Sequence, residues 1–341
     1  MSGNNAKGRT VYLHAGRTVV STPGMHELAA SVANILNERY YNDVSHVKIK
    51  NHEFANDEGK PEILETVRGE HVFLMCPLQL PKPDTAIVRM GLALDALQRA
   101  SVDGITLVIP YYPYARQDRK AKPREPISAK WLAKVIERCP AVQRVITFDL
   151  HAPQIQGFFE IPVDDLHGLP LHAEFLRERF KGNFSKVTVV APDVGSTKRA
   201  KKLAKLLGPN VPFAVIDKDR QINGEVESLA IVGRVRGRHC VLCDDMIDGG
   251  GTIRNAVKSL KKRGALSTIT VVTHGIFSKN AAEKFREAKM QVVATQTIPR
   301  PRRFIEQNKS WLSFAPIEEY LAKIMHEASL VGGSVSKLYA D

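Results

Sequence analysis

Apolar runs without polar alternation, each followed by a helical pattern, are the feature that most restricts the fold of this chain. The run HVFLMC at 71–76 precedes a helical pattern near 84–100, and ITLVIP at 105–110 precedes another near 128–138. Strands with no polar face are buried on both sides, which occurs mainly in parallel sheets that helices cover on both faces. The sequence therefore predicts an α/β fold.

A second series of the same kind follows later in the chain. Its predicted elements are strands at 186–191, 212–217, 239–244, 269–273 and 291–295, and helices at 197–207, 252–263 and 280–288. Further strands are predicted at 10–15 and 144–150, and a last helix near 316–328. The 341 residues suffice for two domains, and the turn-rich stretch IPVDDLHGLP (161–170) predicts their boundary.

Charge and cysteine content narrow the class of protein. The net charge of +13 favours anionic partners: nucleic acid, an anionic membrane or phosphorylated small molecules. No stretch of membrane-spanning length lacks charges, the first ten residues are polar, and the four cysteines show no disulfide spacing. We therefore expect a cytoplasmic protein without a membrane partner. Cys240 and Cys243 lie three apart on a predicted strand, so they should face opposite sides rather than share a zinc ion.

The segment CDDMIDGGGTIRNAV at 243–257 combines acids with a glycine-rich turn at a predicted strand end. Ligands of open α/β sheets bind beyond the carboxyl ends of the strands. Asp244 and Asp245 suit sugar hydroxyls, and the glycine amides with the next helix N-terminus suit a phosphate. Thr252 is predicted to cap that helix. The alternative is a tight turn with solvated acids, but strand, acid pair, glycines and helix in this order favour a ligand site.

Four other predicted strand ends carry groups that suit phosphates or a metal ion. The segment RQDRKAKPR at 116–124, called the basic lid here, has five cations that could close over phosphates; the alternative is a solvated loop. His151, Asp193, and the pair Lys218 and Arg220 follow three other strands. Cations and Mg²⁺ around phosphates are what phosphoryl transfer needs. The sequence contains neither a GxxxxGK[ST] nor a GxGxxG motif.

Five stretches carry a resemblance to the ribose-phosphate pyrophosphokinases, also called phosphoribosyl pyrophosphate synthetases. They are PYARQDRK (113–120), PISAK (126–130), DLHAPQIQGFF (149–159), DDMIDGGGT (244–252) and THGIFS (273–278). The resemblance implies two phosphoribosyltransferase-like domains, each a mostly parallel sheet flanked by helices. The implied bounds are 8–166 and 167–315, with a helix and tail at 316–341 that pack back on the N-terminal domain.

The resemblance also implies an activity and the residues that perform it. The reaction is a Mg²⁺-dependent transfer of the β,γ-diphosphoryl group of ATP to the anomeric hydroxyl of ribose 5-phosphate, which gives phosphoribosyl pyrophosphate and AMP for nucleotide biosynthesis. The implied ATP-binding residues are Phe54, Asn56, Glu58, Arg116, Gln117 and Asp118. The implied ribose 5-phosphate ligands are Asp244, Asp245, Asp248, Gly249, Gly250, Gly251 and Thr252. The implied catalytic cations are Lys218, Arg220 and Arg124, and the implied metal ligands are His151 and Asp193.

The chain departs from the family pattern at several positions. Gly249 stands where threonine is common, which predicts weaker ribose 5-phosphate binding, by up to about tenfold for one neutral hydrogen bond. Ser196 and Thr197 stand where glycine and alanine are usual. Pro153 and Asp165 replace serine and asparagine at the family's phosphate/ADP site, so the resemblance does not fix whether these effectors act. A homo-oligomer, a hexamer built from dimers, is also implied.

Three alternatives accompany the active enzyme. The departures also suit a non-catalytic regulatory subunit of the same fold, although the lid cations, His151 and the strand-end acids are all present. A phosphoribosyltransferase would share DDMIDGGGT but not the basic lid or the first α/β series. A nucleic-acid binder would explain the positive charge, but the basic runs at 198–205 and 261–263 lie on predicted helices and are interpreted as solvated faces. The sequence favours an active enzyme without a nucleic-acid partner.

Overall fold

The chain folds into two compact units, each built on a mostly parallel sheet with flanking helices. The residues that the computed structural model describes are 16–80, 82–218, 229–330 and 333–335, with only the backbone of 218 and 229. Unit 1 comprises Met1–Asp165 and Glu318–Asp341, and unit 2 comprises Leu166–Ile317. The predicted α/β fold class is confirmed. Within the described residues, no helix combines the length and the apolar character that crossing a membrane requires.

Unit 1 contains the first sheet. Its strands are β1 (Arg17–Ser21), β2 (Ser45–Glu53), β3 (Gly59–Ile63), β4 (His71–Met75), β5 (Gly104–Val108), β6 (Val142–Phe148) and β7 (Val163–Leu166). Its first three helices are α1 (His26–Arg39), α2 (Pro83–Arg99) and α3 (Ser128–Ile136). The spatial order is β3-β2-β1-β4-β5-β6-β7, with β3 antiparallel to β2 and the pairs from β2 to β6 parallel. The carboxyl ends of β1, β2, β4, β5 and β6 therefore lie on one edge.

Unit 2 repeats this topology. Its strands are β8 (Val187–Ala191), β9 (Phe213–Lys218), β10 (Leu229–Val232), β11 (His239–Ile247), β12 (Ser267–Gly275), β13 (Val292–Thr295) and β14 (Leu312–Ala315). Its helices are α4 (Leu169–Arg179), α5 (Thr197–Leu207), α6 (Gly251–Lys262), α7 (Ala281–Glu287) and α8 (Arg302–Asn308). The order β10-β9-β8-β11-β12-β13-β14 matches the first sheet strand for strand, and β10 is the antiparallel member. The two units thus share one architecture.

The last helix, α9 (Glu318–Ala328), belongs to unit 1 and packs against α1. Arg39 and Glu319 form an ion pair of 2.7 Å, but both are exposed, and such pairs contribute about 0–1 kcal/mol. The Tyr40 ring stacks on His326 with 4.0 Å between centroids. The main stabilisation comes from the apolar face, which buries Leu321, Ala322, Ile324 and Met325.

Several elements were not predicted, and the patterns of their residues explain why. The strand β2 alternates: Val47 and Ile49 are buried, whereas Lys48 and Lys50 are exposed. It pairs with β3, which has no buried residue. This hairpin contains no continuous apolar run, which is the pattern that predicted the buried strands. The strands β1, β7, β10 and β14 and the helices α4 and α8 were not predicted either.

The helix α1 begins later than its sequence suggests, and one predicted strand falls outside the described residues. Thr22 and Pro23 are residue types that suit a helix cap and first turn, but α1 begins further on, at His26, with Met25 as N-cap. The stretch 161–170, from which a domain boundary was predicted, contains the short strand β7, and the two units divide within it, between Asp165 and Leu166. The predicted strand at 10–15 lies outside the described residues.

The two closely spaced cysteines of β11 point to opposite faces of the sheet, as predicted. Cys240 packs in the apolar cluster that includes the buried side of α6, whereas Cys243 packs in the cluster that includes α5. Burial raises the pKa of Cys240 to about 11. A thiol with so high a pKa stays protonated at neutral pH and is a poor metal ligand or nucleophile.

Two histidines of unit 1 share one buried serine. Ser21 Oγ at the end of β1 lies 2.8 Å from His26 Nδ1 and 2.8 Å from His46 Nε2. The pKa of His26 is lowered mainly by burial and then by the charge of Lys48. The pKa of His46 is lowered mainly by burial, then by His26 and Lys48, while Glu65 has a smaller, opposing effect. The folded protein therefore takes up protons on these rings less readily than the unfolded chain.

This difference predicts a loss of stability in weak acid. Above the unfolded-state pKa of about 6.5 both states are neutral and the rings have no effect; as pH falls below it, the unfolded state gains protons first. The double variant His26→Gln/His46→Gln should show a shallower loss of unfolding free energy than the wild type between about pH 7 and 5. Urea unfolding over a pH series measures this, and equal slopes for the two proteins would contradict it.

Candidate active site

Unit 2 brings two acid-bearing loops together at one edge of its sheet. β8 and β11 are parallel neighbours, and the chain passes from β8 outward to β9 but from β11 outward to β12. This reversal is a topological switch point, where open α/β sheets form a ligand-binding crevice. Asp193 follows β8, and Asp244 and Asp245 lie near the carboxyl end of β11. The acid predicted at one strand end and the acid pair predicted at another therefore lie at the same edge of the sheet.

A single serine connects these loops. Ser196 donates its amide hydrogen to Asp193 Oδ1 at 2.9 Å, and its Oγ lies 3.0 Å from the same oxygen. The same Oγ lies 2.9 Å from Asp244 Oδ1, which also accepts the Asp245 amide hydrogen at 3.0 Å. In the sequence, Ser196 stands out only as a departure from the family pattern. Its role as a connection depends on strand order, which the sequence does not show.

Negative charge is concentrated where the two loops meet. Asp245 is buried, and burial followed by the charge of Asp245 raises the pKa of Asp244. The Oδ2 atoms of Asp193 and Asp244 accept no hydrogen bond from any residue that the structure describes. These two oxygens are therefore available to a ligand that offers hydroxyl hydrogens or a cation.

The glycine-rich turn begins α6 in a conformation that one glycine makes possible. Gly250 is the N-cap, with φ of 72° in the left-handed region, and a Cβ atom there would lie 2.7 Å from Phe285 Cζ. The helical amides from Gly251 onward lack intrahelical acceptors in the first turn, so they suit an anion. The predicted cap at Thr252 is wrong: the helix starts one residue earlier and has no side-chain cap bond.

Gly249 is surrounded by open space, which permits a test of the missing hydroxyl. A Cβ atom on this residue would meet no atom within 4 Å. Gly249→Thr should therefore fit and tighten ribose 5-phosphate binding by up to about tenfold, the contribution of one added neutral hydrogen bond. Calorimetric titration with ribose 5-phosphate measures the change. Gly249→Val, which has the same shape without the hydroxyl, is the control, and equal affinities for the two variants would contradict the prediction.

Residues behind the turn hold it in place. Phe277 donates its amide hydrogen to the Ile247 carbonyl at 3.1 Å, and Ser278 donates to the Asp248 carbonyl at 3.2 Å. Arg300 Nη2 in turn donates to the Gly275 carbonyl at 2.6 Å. The THGIFS stretch at 273–278 thus supports the turn through backbone contacts. No sequence pattern pointed to Arg300, because its contacts are to main-chain oxygens.

The residues matched to adenine binding occupy the turn between β2 and β3 in unit 1. Phe54 is 54% exposed. The Phe54 amide donates to the Glu58 carbonyl at 2.9 Å, and the Glu58 amide donates to Asn56 Oδ1 at 3.3 Å. These two hydrogen bonds close the turn, and Lys60 Nζ lies over the exposed Phe54 ring, 5.8 Å from its centroid.

The basic lid follows β5 at the same edge of the first sheet. All five of its cations are exposed, and Arg124 has a left-handed φ of 66°. Glu125 accepts hydrogen bonds from the amides of Ala121 and Lys122 at 3.1 and 2.8 Å, which folds the loop back on itself. At its start, Gln117 Oε1 accepts from Ser128 at 2.7 Å, and Asp118 Oδ2 from Gln154 at 2.8 Å. An exposed, self-closed loop suits both a lid and a solvated surface.

The residues matched to the metal lie at strand ends of different units. His151 follows β6 in unit 1 and is exposed, and Asp193 follows β8 in unit 2. Among the residues described, no group of three or more His, Cys, Asp or Glu side chains is placed to hold a metal ion. Mg²⁺ in nucleotide enzymes is usually held by one or two carboxylates together with substrate phosphates. The hard carboxylate of Asp193 therefore suits a Mg²⁺ ion that is held jointly with substrate phosphates.

Lys218 and Arg220, which the resemblance matches to catalysis, lie at or beyond an edge of the described residues. Lys218 ends β9, which is parallel to β8, so its backbone lies at the same edge as Asp193. Its side chain and the whole of Arg220 lie outside the described residues.

The corresponding switch point of unit 1, between β1 and β4, has a different character. Thr22 and Pro23 follow β1, and Cys76 and Pro77 follow β4. These residues border a mainly apolar cavity of about 350 Å³ that also reaches Arg89. Although the two units share one topology, the acids and the glycine-rich turn are found in unit 2. The residues that the sequence matched to ribose 5-phosphate therefore lie in that unit.

Models of two protein families match the chain. The first, described as the N-terminal domain of ribose phosphate pyrophosphokinase, matches residues 18–139. The second, described as the phosphoribosyl transferase domain, matches residues 168–306. Each match falls within one of the two units.

Proteins with curated names match over most of their length. The ribose-phosphate pyrophosphokinase of Clostridium acetobutylicum is 46% identical over 289 residues, which cover 84% of this chain and 85% of the relative. That of Granulibacter bethesdensis is 40% identical over 315 residues, or 92% and 98% of the two chains. The crystal structure of phosphoribosylpyrophosphate synthetase from Mycobacterium smegmatis superposes with a TM-score of 0.79 at 34% identity, covering 92% of this chain and 99% of that one.

Proposed function

The chain belongs to the ribose-phosphate pyrophosphokinase family, and we propose that it transfers the β,γ-diphosphoryl group of ATP to the anomeric hydroxyl of ribose 5-phosphate. The products are AMP and phosphoribosyl pyrophosphate. The observation that carries this proposal is the meeting of Asp193, Asp244 and the glycine-rich turn at the switch point of unit 2. Sugar hydroxyls and a phosphate on one small molecule match that combination of acids and anion-binding amides.

Different residues of the chain bind different parts of ribose 5-phosphate and ATP. Asp244 and Asp245 accept hydrogen bonds from the ribose hydroxyls, and the amides from Asp248 to Thr252 hold the 5-phosphate. Phe54 stacks on adenine, while Asn56 and Glu58 bind its edge. Phosphoryl-type transfer needs little covalent chemistry from the protein, so positioning and charge stabilisation supply most of the rate.

Cations neutralise the charge that develops during transfer. We assign this role to Lys218, Arg220 and Arg124, and ATP phosphate binding to the beginning of the basic lid, Arg116 to Asp118. Asp193 and His151 would hold Mg²⁺ together with the ATP phosphates. When bound, Mg²⁺ supplies positive charge to the oxygens of the group being transferred.

Release of AMP that depends on ribose 5-phosphate tests the proposal. Purified protein with Mg²⁺ and ATP should release AMP only when ribose 5-phosphate is added, and ribose without the 5-phosphate should be a poor substitute. A non-catalytic regulatory subunit would release none. Absence of AMP over a wide range of ribose 5-phosphate concentrations would refute the activity.

We further propose a cytoplasmic homo-oligomer, a hexamer built from dimers, for which the family resemblance is the support. Cys76, Cys139, Cys240 and Cys243 are free thiols, which suits a reducing compartment. Phosphate and ADP are the candidate effectors, and Asp165, at one of the departing positions, accepts the Leu150 amide hydrogen at 3.0 Å. Initial rates with and without phosphate and ADP decide whether they act.

A further inference from the structure

We propose that Ser196 is a positioning residue that orients the Asp244 carboxylate for the sugar hydroxyls of ribose 5-phosphate. The inference rests on the proposed function of the site in unit 2. It gives a role to a hydroxyl that joins two loops 48 positions apart in the chain. Ser196 acts through Asp244, so its effect should appear in sugar binding before it appears in any other property.

The contacts of Asp244 show how the orientation is set. Oδ1 receives two donors, the Ser196 hydroxyl at 2.9 Å and the Asp245 amide at 3.0 Å. Two donors on one oxygen fix the carboxylate about its terminal bond, and Oδ2 receives none from the described residues. Oδ2 is therefore the oxygen presented to a ligand. A carboxylate fixed in advance loses less entropy when the ligand binds.

Ser196 is itself held firmly enough to act as a support. Its side chain is buried, with 8% of the residue exposed. It is the N-cap of α5, whose buried face contains Ala200, Leu203, Ala204 and Leu207. Its amide also donates to Asp193 Oδ1 at 2.9 Å. The hydroxyl is thus fixed to a helix that packs in the core of unit 2.

Removal of the Ser196 hydroxyl is expected to weaken ribose 5-phosphate binding moderately rather than to abolish it. Hydrogen bonds to charged groups contribute more than neutral ones, and loss of one corresponds to roughly tenfold or more in binding. The serine hydroxyl has one hydrogen to share between Asp193 and Asp244, and the Asp245 amide remains in any variant. The lower end of that range is therefore expected for removal of the hydroxyl.

Calorimetric titration of the full chain with ribose 5-phosphate, without ATP or metal, tests the inference. Ser196→Ala should raise the dissociation constant about tenfold, while Ser196→Thr, which keeps the hydroxyl, should stay close to the wild type. The dissociation constant for ATP should be unchanged in both. Ser185→Ala is the matched control, because this serine lies in the same unit and its Oγ donates 2.8 Å to Asn183 Oδ1, away from the acids.

The outcomes separate this inference from the function on which it rests. Ser196→Ala that binds ribose 5-phosphate as tightly as the wild type, or more tightly, overturns the positioning role. If that variant does not fold, Ser196→Thr and Ser196→Val make the same comparison, since they differ only in the hydroxyl; equal affinities overturn the role. A wild-type protein that binds no ribose 5-phosphate contradicts the proposed function itself, and this inference with it.

Discussion

The Gly250→Ala variant is expected to lose about 2–5 kcal/mol of unfolding free energy. The left-handed conformation at this residue, with φ of 72°, carries a penalty of about 1–2 kcal/mol for a residue with a Cβ atom. The new methyl group would also overlap the ring of Phe285, a buried residue of α7, and overpacking adds about 1–3 kcal/mol. Since the same turn is assigned to the 5-phosphate, affinity for ribose 5-phosphate should fall as well.

Two neighbouring glycines provide the contrast. A Cβ atom on Gly249 or Gly251 would meet no atom within 4 Å, and neither residue has a positive φ. Gly251→Ala is therefore expected to keep the wild-type stability or gain slightly. Urea unfolding of the variants measures the difference. Gly250→Ala with wild-type stability would mean that the turn is not constrained as described.

Lys218→Ala is expected to lower turnover by about 10²–10³, the usual effect of removing one group that stabilises charge in the transition state. ATP binding should change much less, because a group that acts mainly in the transition state contributes little to the ground-state complex. Two observations support this prediction. Lys218 matches a catalytic cation of the family, and its backbone ends β9 at the same sheet edge as Asp193.

Separate measurements of turnover and ATP affinity distinguish this role from simple binding. Lys205→Ala is a suitable control, since it removes an exposed lysine from α5 in the same unit. Unchanged turnover in Lys218→Ala would refute the catalytic role. A loss of ATP binding as large as the loss of turnover would make Lys218 a binding residue instead.

Much of the fold could be predicted because buried parallel strands leave a simple pattern. β4 and β8 are almost entirely buried, as is β11 from Cys240 to Cys243. The helix predicted at 252–263 is α6, which buries Ile253, Ala256, Val257 and Leu260. The hairpin of β2 and β3 was missed because it is partly exposed and alternates. The sequence predicted two α/β series, but not that the two units share one strand order, because that order depends on which strands pair.

The individual residues of the site could be predicted from the sequence, but the contacts between them could not. The sequence shows Asp193, Ser196 and Asp244, yet only the neighbouring positions of β8 and β11 bring them into contact. The cap predicted at Thr252 was wrong because the turn uses backbone conformation at Gly250 in place of a side-chain cap. Arg300 supports the turn through carbonyl oxygens, which any sequence offers equally.

In the proposed reaction, ribose 5-phosphate receives both outer phosphates of ATP as one group. Phosphorus NMR of the complete reaction, with isolated protein, Mg²⁺, ATP and ribose 5-phosphate, tests this directly. The prediction is equal formation of AMP and of a product whose diphosphate is attached to the anomeric carbon, with no ADP as an intermediate. Formation of ADP with a singly phosphorylated sugar, or no change in the spectrum, would contradict it.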